Sequence, residues 1–266
     1  GQIGGYVPGG YMDNSGDQWG DIISNVENII GSSNNDRLAG NTAVNNIDAR
    51  SGDDIIVGDL GADIINGGAG IDEVTYINST VGVTVNLSLS TAQLGSGDAA
   101  GDILSNIENL SGSNYSDTLT AAFGGSVLNG GSGADHINGG NGIDTVSYAN
   151  SYYGAVTINL ALTSAQVSGG DASGDVLTNI ENIIGTYSND ILTGNSGNNV
   201  IMGSAGNDTI DGGAGIDTAS YDDSGFAVIV NLVSNTVQVP SNGFTEVDTL
   251  ANIENILGSK YNDTLI

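Results

Sequence analysis

An all-β solenoid of nine-residue repeats, with longer strand segments interspersed, is the fold this sequence predicts. Three observations predict it. An acidic residue recurs every nine positions, with an aliphatic residue two places later. A glycine-rich tetrad precedes the best copies, as in Gly67-Gly68-Ala69-Gly70 ahead of Asp72 and Val74. No apolar residues recur at three-to-four spacing over a useful length, and glycine interrupts every stretch that could start a helix. Fixed-period self-similarity of this kind outranks any local reading.

The short repeat runs in four arrays. In the first, the acidic slot reads Glu27, Asp36, Asn45, Asp54, Asp63, Asp72, over Ile29, Leu38, Ile47, Ile56, Ile65, Val74. The second reads Glu108, Asp117, Ser126, Asp135, Asp144, over Leu110, Leu119, Leu128, Ile137, Val146. The third reads Glu181, Asp190, Asn199, Asp208, Asp217, over Ile183, Leu192, Ile201, Ile210, Ala219. Glu254 and Asp263 open a fourth over Ile256 and Leu265. Three residues around each aliphatic slot suit a very short strand, and the glycine tetrads suit turns with positive backbone angles.

A longer repeat carries these arrays. Its marker is Asn25-Val26-Glu27-Asn28, then Asn-Ile-Glu-Asn beginning at Asn106, Asn179 and Asn252. Between arrays lie alternating apolar and polar stretches, 74–78 and 83–87 with their counterparts 146–150, 156–160, 219–223 and 228–232, which read as half-buried strands. Each ends in an acidic turn: Asp98 with Asp102, Asp171 with Asp175, and Asp248. Gly16, Asp17 and Asp21 look like the tail of an earlier block. The expected division is a partial first block over 1–26, then arrays over 27–75, 108–147 and 181–220. Strand segments fill 76–107, 148–180 and 221–253, and a fourth array starts at 254–266.

Composition limits the partners. Thirty-one acidic residues face only Arg37, Arg50 and Lys260, for a formal charge of -28. Such a chain repels nucleic acid and anionic membrane surfaces. No apolar stretch approaches the roughly 20 residues needed to span a bilayer as a helix, so membrane insertion is not expected. There are no cysteines, hence no disulfide staple. The first 20 residues show no basic segment and apolar core of a secretory signal. The chain starts without Met, so a processed product or excised piece is expected.

The nine-residue pattern, with GGxGxD in three tandem arrays, resembles the RTX, or haemolysin-type, calcium-binding repeat of secreted bacterial proteins. The resemblance covers about half the chain. It implies a parallel β-roll in which one coil takes two units, so residues 18 apart stack at roughly 4.8 Å. Asp36 then neighbours Asp54, Asp54 neighbours Asp72, Asp117 neighbours Asp135, and Asp190 neighbours Asp208. Carboxylates that close repel unless a cation intervenes. Calcium, with six to eight oxygen ligands in flexible geometry, fits better than magnesium. Zinc and copper are disfavoured, because there is no Cys and only His136. Several calcium ions are therefore expected, at Asp36, Asp54, Asp63, Asp72, Asp117, Asp135, Asp144, Asp190, Asp208, Asp217 and Asp263. Asn45 and Asn199 would lend oxygens with less charge, at the Asp63 and Asp217 pairings. Ser126 opposite Asp144 is expected to give a weak or empty site. Glu27, Glu108, Glu181 and Glu254 would serve a first site or only cap each array. Asp98, Asp102, Asp171 and Asp175 fit calcium ligation and plain turn chemistry equally.

Tyr76, Tyr148 and Tyr221 recur in equivalent positions and are expected as a half-buried packing ladder, not a glycan-binding stripe. His136 should face solvent, and Trp19 is uninformative. No Ser-His-Asp, HExxH or P-loop pattern is present, so an enzyme is not expected. The expected function is an extracellular, calcium-folded structural repeat protein: a surface-layer, adhesin-stalk or filament component. The alternative is an accessory region of a secreted protease, lipase or polysaccharide epimerase. Family resemblance implies export in the unfolded state by a type I system. The array breaks off at Ile266 without a polar cap, so a longer parent or a covering neighbour is expected. Beyond calcium, self-association end to end or laterally is the partner the pattern suggests.

Overall fold

The computed structural model describes residues 26–266 except 152–153, 232 and 242–243. The partial block expected over 1–26, with Gly16, Asp17, Asp21 and Trp19, lies outside the described residues but for Val26.

Each nine-residue unit makes one three-residue strand. In Arg37–Ala39, Asn46–Asp48 and Ile55–Val57 only the middle residue is buried, because alternate side chains of a strand point to opposite faces. Parallel pairing runs at 18 residues, as in Leu38 with Ile56, Ile56 with Val74 and Ile47 with Ile65. Successive units thus alternate between two faces, and one coil takes two units. The aliphatic slots stack into two inner ladders. Ile47, Ile56, Ile65, Leu119, Leu128, Ile201 and Ile210 are fully buried. Among the described residues there is no α-helix, only the 3-10 turns Gly97–Ala99 and Gly170–Ala172.

One face is a continuous ten-stranded sheet from Arg37–Ala39 to Asn255–Leu257. The other is broken into sheets of four, four and seven strands. The linkers cause the breaks. After Glu73–Thr75 the chain forms Thr84–Asn86, which pairs forward with Thr118–Thr120. It then forms Ile103–Ser105, which pairs backward with Ile64–Asn66. The two linker strands do not pair with each other, and the ladder opens between them. On the continuous face Val74 pairs directly with Leu110, so no gap forms there.

The gap is closed by a side chain. The buried Gln93 amide accepts the Asn86 N–H at 2.8 Å and donates to the Asn86 carbonyl at 3.0 Å. Gln166 does the same for Asn159, at 2.9 and 3.1 Å. A primary amide has the donor and acceptor of a peptide group, so each glutamine stands in for a missing strand. The third linker uses a real one: Thr236–Ser241 pairs antiparallel with both Ile229–Asn231 and Phe244–Ala251. Gln238, seven residues after Asn231 as Gln93 is after Asn86, lies in this strand with its side chain exposed.

Two expectations are corrected. The linker strands are shorter than the stretches 74–78 and 83–87 suggested: Glu73–Thr75 and Thr84–Asn86. Tyr76, Tyr148 and Tyr221 are fully buried instead of half-buried, because each hydroxyl has a carboxylate to donate to inside the roll. His136 is exposed on the outer face of its strand.

The Asn-Ile-Glu-Asn marker is the tight return between faces. Asn106, Asn179 and Asn252 adopt φ of 51, 52 and 50°, a left-handed conformation that asparagine tolerates. Their side-chain amides donate to Asn66, Asn138 and Asp211 of the coil before, at 2.7, 2.8 and 2.7 Å. Only three residues separate Ile103–Ser105 from Asn109–Ser111, against six in the glycine turns.

Gln93→Ala removes both surrogate bonds and leaves the half-buried Asn86 N–H unpaired, while Leu89 N–H still reaches the Asn86 carbonyl at 3.2 Å. It is expected to lower stability by about 1–3 kcal/mol in chemical denaturation with saturating calcium. Gln166→Ala should match it, and Gln238→Ala should leave stability within about 0.5 kcal/mol.

Candidate metal centre

The turns stack on two edges of the roll, and their acidic residues form one ladder along each. The contact repeats. A carboxylate Oδ1 accepts the backbone N–H of the acidic-slot residue one coil earlier. On one edge Asp36 donates to Asp54 at 2.7 Å, Asp54 to Asp72 at 2.8 Å, Ser126 to Asp144 at 2.7 Å and Asn199 to Asp217 at 2.7 Å. On the other Asn45 donates to Asp63 at 2.7 Å, Asp117 to Asp135 at 2.8 Å and Asp190 to Asp208 at 2.8 Å.

At the array ends the partner is not 18 residues away. Asp63, Asp135 and Asp208 donate to the linker carboxylates Asp102, Asp175 and Asp248, at 2.8, 2.9 and 2.8 Å. Asp72, Asp144 and Asp217 donate to Glu108, Glu181 and Glu254, each at 2.9 Å. Glutamate stands here because the three-residue return is shorter, and one more methylene spans the difference. Glu108, Glu181 and Glu254 therefore close the array before each of them. Glu27 is exposed, and its preceding coil lies outside the described residues.

The second carboxylate oxygen divides the ladder in two. In Asp36, Asp117 and Asp190 it accepts a backbone N–H within the turn, from Ser32, Ser113 and Thr186. Ser113 N–H donates to Asp117 at 2.6 Å and its hydroxyl at 2.8 Å. Thr186 does so for Asp190 at 2.6 and 2.9 Å, and the Ser32 and Ser259 hydroxyls reach Oδ1 of Asp36 and Asp263 at 3.1 and 2.6 Å. In Asp54, Asp63, Asp72, Asp135, Asp144, Asp208 and Asp217, Oδ2 is buried with no hydrogen-bond partner. A buried, unpaired anionic oxygen is costly unless a cation or proton reaches it. Asn45 and Asn199 spend Oδ1 on the amides of Asn41 and Asn195, at 2.7 and 2.8 Å. Asp102, Asp175 and Asp248 are filled from both sides. Their second oxygens accept Tyr76, Tyr148 and Tyr221 at 3.0, 2.8 and 2.9 Å.

Six of the seven open oxygens lie against a glycine whose Cβ would crowd them; at Asp54 the equivalent position is the buried Ala49. A Cβ on Gly67 would lie 2.6 Å from Asp72 Oδ2 and collide with the Asn106 carbonyl oxygen. Gly139 and Gly212 repeat this with Asp144 and Asn179, and with Asp217 and Asn252. The donors are all oxygens, carboxylate plus main-chain carbonyl, which is the set hard divalent cations take. Among the described residues no three His, Cys, Asp or Glu side chains converge. A cation held here takes most of its ligands from the backbone.

Burial shifts these carboxyls strongly. Desolvation pushes Asp135 and Asp208 up to about 8 and Asp63 to about 7; the amides of Asp117, Asp190 and Asn45 oppose the shift, and the charges of Asp175, Asp248 and Asp102 add to it. Asp102, Asp175 and Asp248 rise to about 6, again through desolvation, held lower by an amide and a tyrosine hydroxyl. With calcium chelated, the folded chain thus binds more protons than the unfolded chain between about pH 4 and 8. That stability is fully present below the unfolded carboxyl range and is lost as pH rises through 6 to 8. In chelator, the β-structure retained by circular dichroism should be greatest below about pH 6 and decline as pH rises through 6 to 8; retained structure that grows with pH would contradict the burial of these oxygens.

Three stretches, 39–74, 111–146 and 184–219, match the family model described as RTX calcium-binding nonapeptide repeat (4 copies). No curated protein matches the chain. Among solved structures, the crystal structure of extracellular lipase LipA from Serratia marcescens aligns at 15% identity with a TM-score of 0.26. The alignment covers 86% of this chain but 38% of the lipase, so the chain spans well under half of that protein. The matched stretches coincide with the turns whose carboxylates are open, and the chain carries RTX calcium-binding nonapeptide repeats in its three arrays.

Proposed function

We propose that this chain is an extracellular structural repeat protein that folds and stiffens by taking up calcium along both edges of the roll. The supporting observation is the set of seven buried, unpartnered Oδ2 atoms, those of Asp72, Asp144 and Asp217 lying beside a main-chain carbonyl oxygen. In this reading Asp54, Asp63, Asp72, Asp135, Asp144, Asp208 and Asp217 supply the open oxygen. Asp36, Asp117 and Asp190 are weaker ligands, because Ser or Thr already occupies theirs, and Asp263 is exposed. Asn45 and Asn199 mark poorer positions, and Glu108, Glu181 and Glu254 hold the last turn of each array in place. Bound calcium supplies positive charge where the buried oxygens lack a donor.

The coupling to folding is electrostatic. At a formal charge of -28, with 43 glycines, the metal-free chain resists compaction through self-repulsion and backbone entropy. Ion-binding free energy then appears as folding free energy. Each coil templates the next, as in other one-dimensional arrays. Calcium modules outside cells work in the roughly 0.1–1 mM range. A chain with such affinity stays loose inside a cell and sets outside it, which fits the secretion typical of RTX proteins. The reading is non-enzymatic and gives the folded rod a role in a surface layer, stalk or filament. No helix of the described residues is long and apolar enough to cross a membrane.

Far-ultraviolet circular dichroism during EDTA titration should report reversible loss of β-structure; an unchanged spectrum would end the proposal. Asp54→Asn should raise the calcium midpoint of folding several-fold, and Asp36→Asn clearly less, since Ser32 already serves Asp36. Equal midpoints would contradict the division between open and filled oxygens. Light scattering should show particle growth with calcium if the rod assembles, whereas compaction without growth would argue for a monomeric module.

A further inference from the structure

The seven turns with an open carboxylate share a backbone feature. In each, the residue four places before the aspartate is left-handed. Arg50, Asp59 and Gly68 have φ of 77, 67 and 106°, Gly131 and Gly140 of 80 and 76°, Ser204 and Gly213 of 67 and 90°. They precede Asp54, Asp63, Asp72, Asp135, Asp144, Asp208 and Asp217, whose Oδ2 atoms are buried without a partner.

The turns that open each array differ at that same place. Ser32, Asn41, Ser113, Ala122, Thr186 and Asn195 do not have a positive φ, and their backbone N–H points into the turn. It donates to the side-chain oxygen of Asp36, Asn45, Asp117, Ser126, Asp190 and Asn199, at 2.5, 2.7, 2.6, 3.3, 2.6 and 2.8 Å. In these three arrays the first turn on each edge is thus closed by its own backbone, and every later nine-residue turn is open.

Rotation of one peptide accounts for the difference. A positive φ swings the N–H away from the carboxylate. In three open turns it finds a side chain two residues back instead: Gly131, Gly140 and Gly213 donate to Oδ1 of Asn129, Asn138 and Asp211, at 2.8, 3.1 and 3.1 Å. Residue type alone does not set the state. Ser204 is left-handed beside the open Asp208, whereas Ser113 closes Asp117. Arg50, Asp59 and Ser204 hold a conformation that is costly for a residue with a side chain. Such outliers persist where the surroundings over-determine them, and they cluster at functional sites.

We propose, on the reading that the open oxygens take calcium, that this peptide selects which turns bind an ion. With the residue left-handed, the aspartate keeps a free oxygen for the metal. With the residue in an ordinary conformation, its N–H takes the metal's place. The residue four before each aspartate is a positioning residue, acting through the oxygen it frees or occupies. It also sets where the row of ions starts: the first coil of each array folds without metal, and ions begin one coil further in.

Gly140 isolates the effect, because a Cβ there would meet nothing within 4 Å, so only the backbone angle resists a side chain. Isothermal titration of the full chain with calcium counts the ions. Gly140→Val, which disfavours a left-handed φ, should bind one ion fewer than the unaltered chain. Gly140→Asn, which tolerates that φ, should bind the same number. Thr186 shows that a closed turn accommodates a β-branched residue at this place. Gly140→Ala, a smaller change, guards against misfolding of the valine variant: its last ion should bind several-fold more weakly than that of Gly140→Asn. A full ion count in Gly140→Val, or equal affinities in Gly140→Ala and Gly140→Asn, would overturn the selection and leave the array sites standing. An unaltered chain that binds no calcium would overturn both readings together.

Discussion

The contact on which the roll depends is the one between a turn carboxylate and the backbone amide one coil before it. It satisfies the N–H that closes each turn, fixes the stacking of coils, and turns the second oxygen inward. Once the coils stack at strand spacing, that oxygen is dry and surrounded by carbonyls. Stability and metal affinity therefore come from the same geometry. A side chain that locked the coils by hydrogen bonding alone would leave no oxygen over, as the Ser- and Thr-filled first turns illustrate.

A thin core makes this arrangement necessary. Each unit buries one aliphatic side chain per nine residues, and the three-residue strands give few ladder bonds. The linkers add most of what is missing. Tyr76, Tyr148 and Tyr221 bury whole rings, and their hydroxyls fill the second oxygens of Asp102, Asp175 and Asp248. Those three carboxylates sit at the same ladder level as open ones, yet have a protein donor where their neighbours have none. Tyrosine and calcium are thus alternative answers to one problem, a buried carboxylate oxygen, used at different coils of the same edge.

The linkers are also where one face of the roll is allowed to break. Two linker strands compete for the space of one, each hydrogen-bonded to a different array. Gln93 and Gln166 bridge that gap with side-chain amides, and the third block solves it with a hairpin. The continuous face carries no such interruption and runs through every block. Linkers are accordingly integral coils of the solenoid.

The sequence by itself determined the period, the inward aliphatic slots, the stacking of residues 18 apart and the oxygen-rich, acidic character of the turns. These follow from a repeat that has one way to bury its single apolar residue. Only the tertiary structure decided which carboxylates are open. Ser113 beside Asp117 reads as an ordinary turn residue until the fold shows its N–H and hydroxyl on both oxygens. The pairing of Tyr76 with Asp102, 26 residues apart, could have been guessed from its recurrence at Tyr148 with Asp175 and at Tyr221 with Asp248, but a spacing does not say that a ring lies inside. Glu108 was legible as an acidic slot and not as the partner of Asp72, because the length of its return turn depends on a left-handed Asn106. Local periodicity is written in neighbouring residues, whereas the donor that reaches a buried oxygen is set by how distant turns stack.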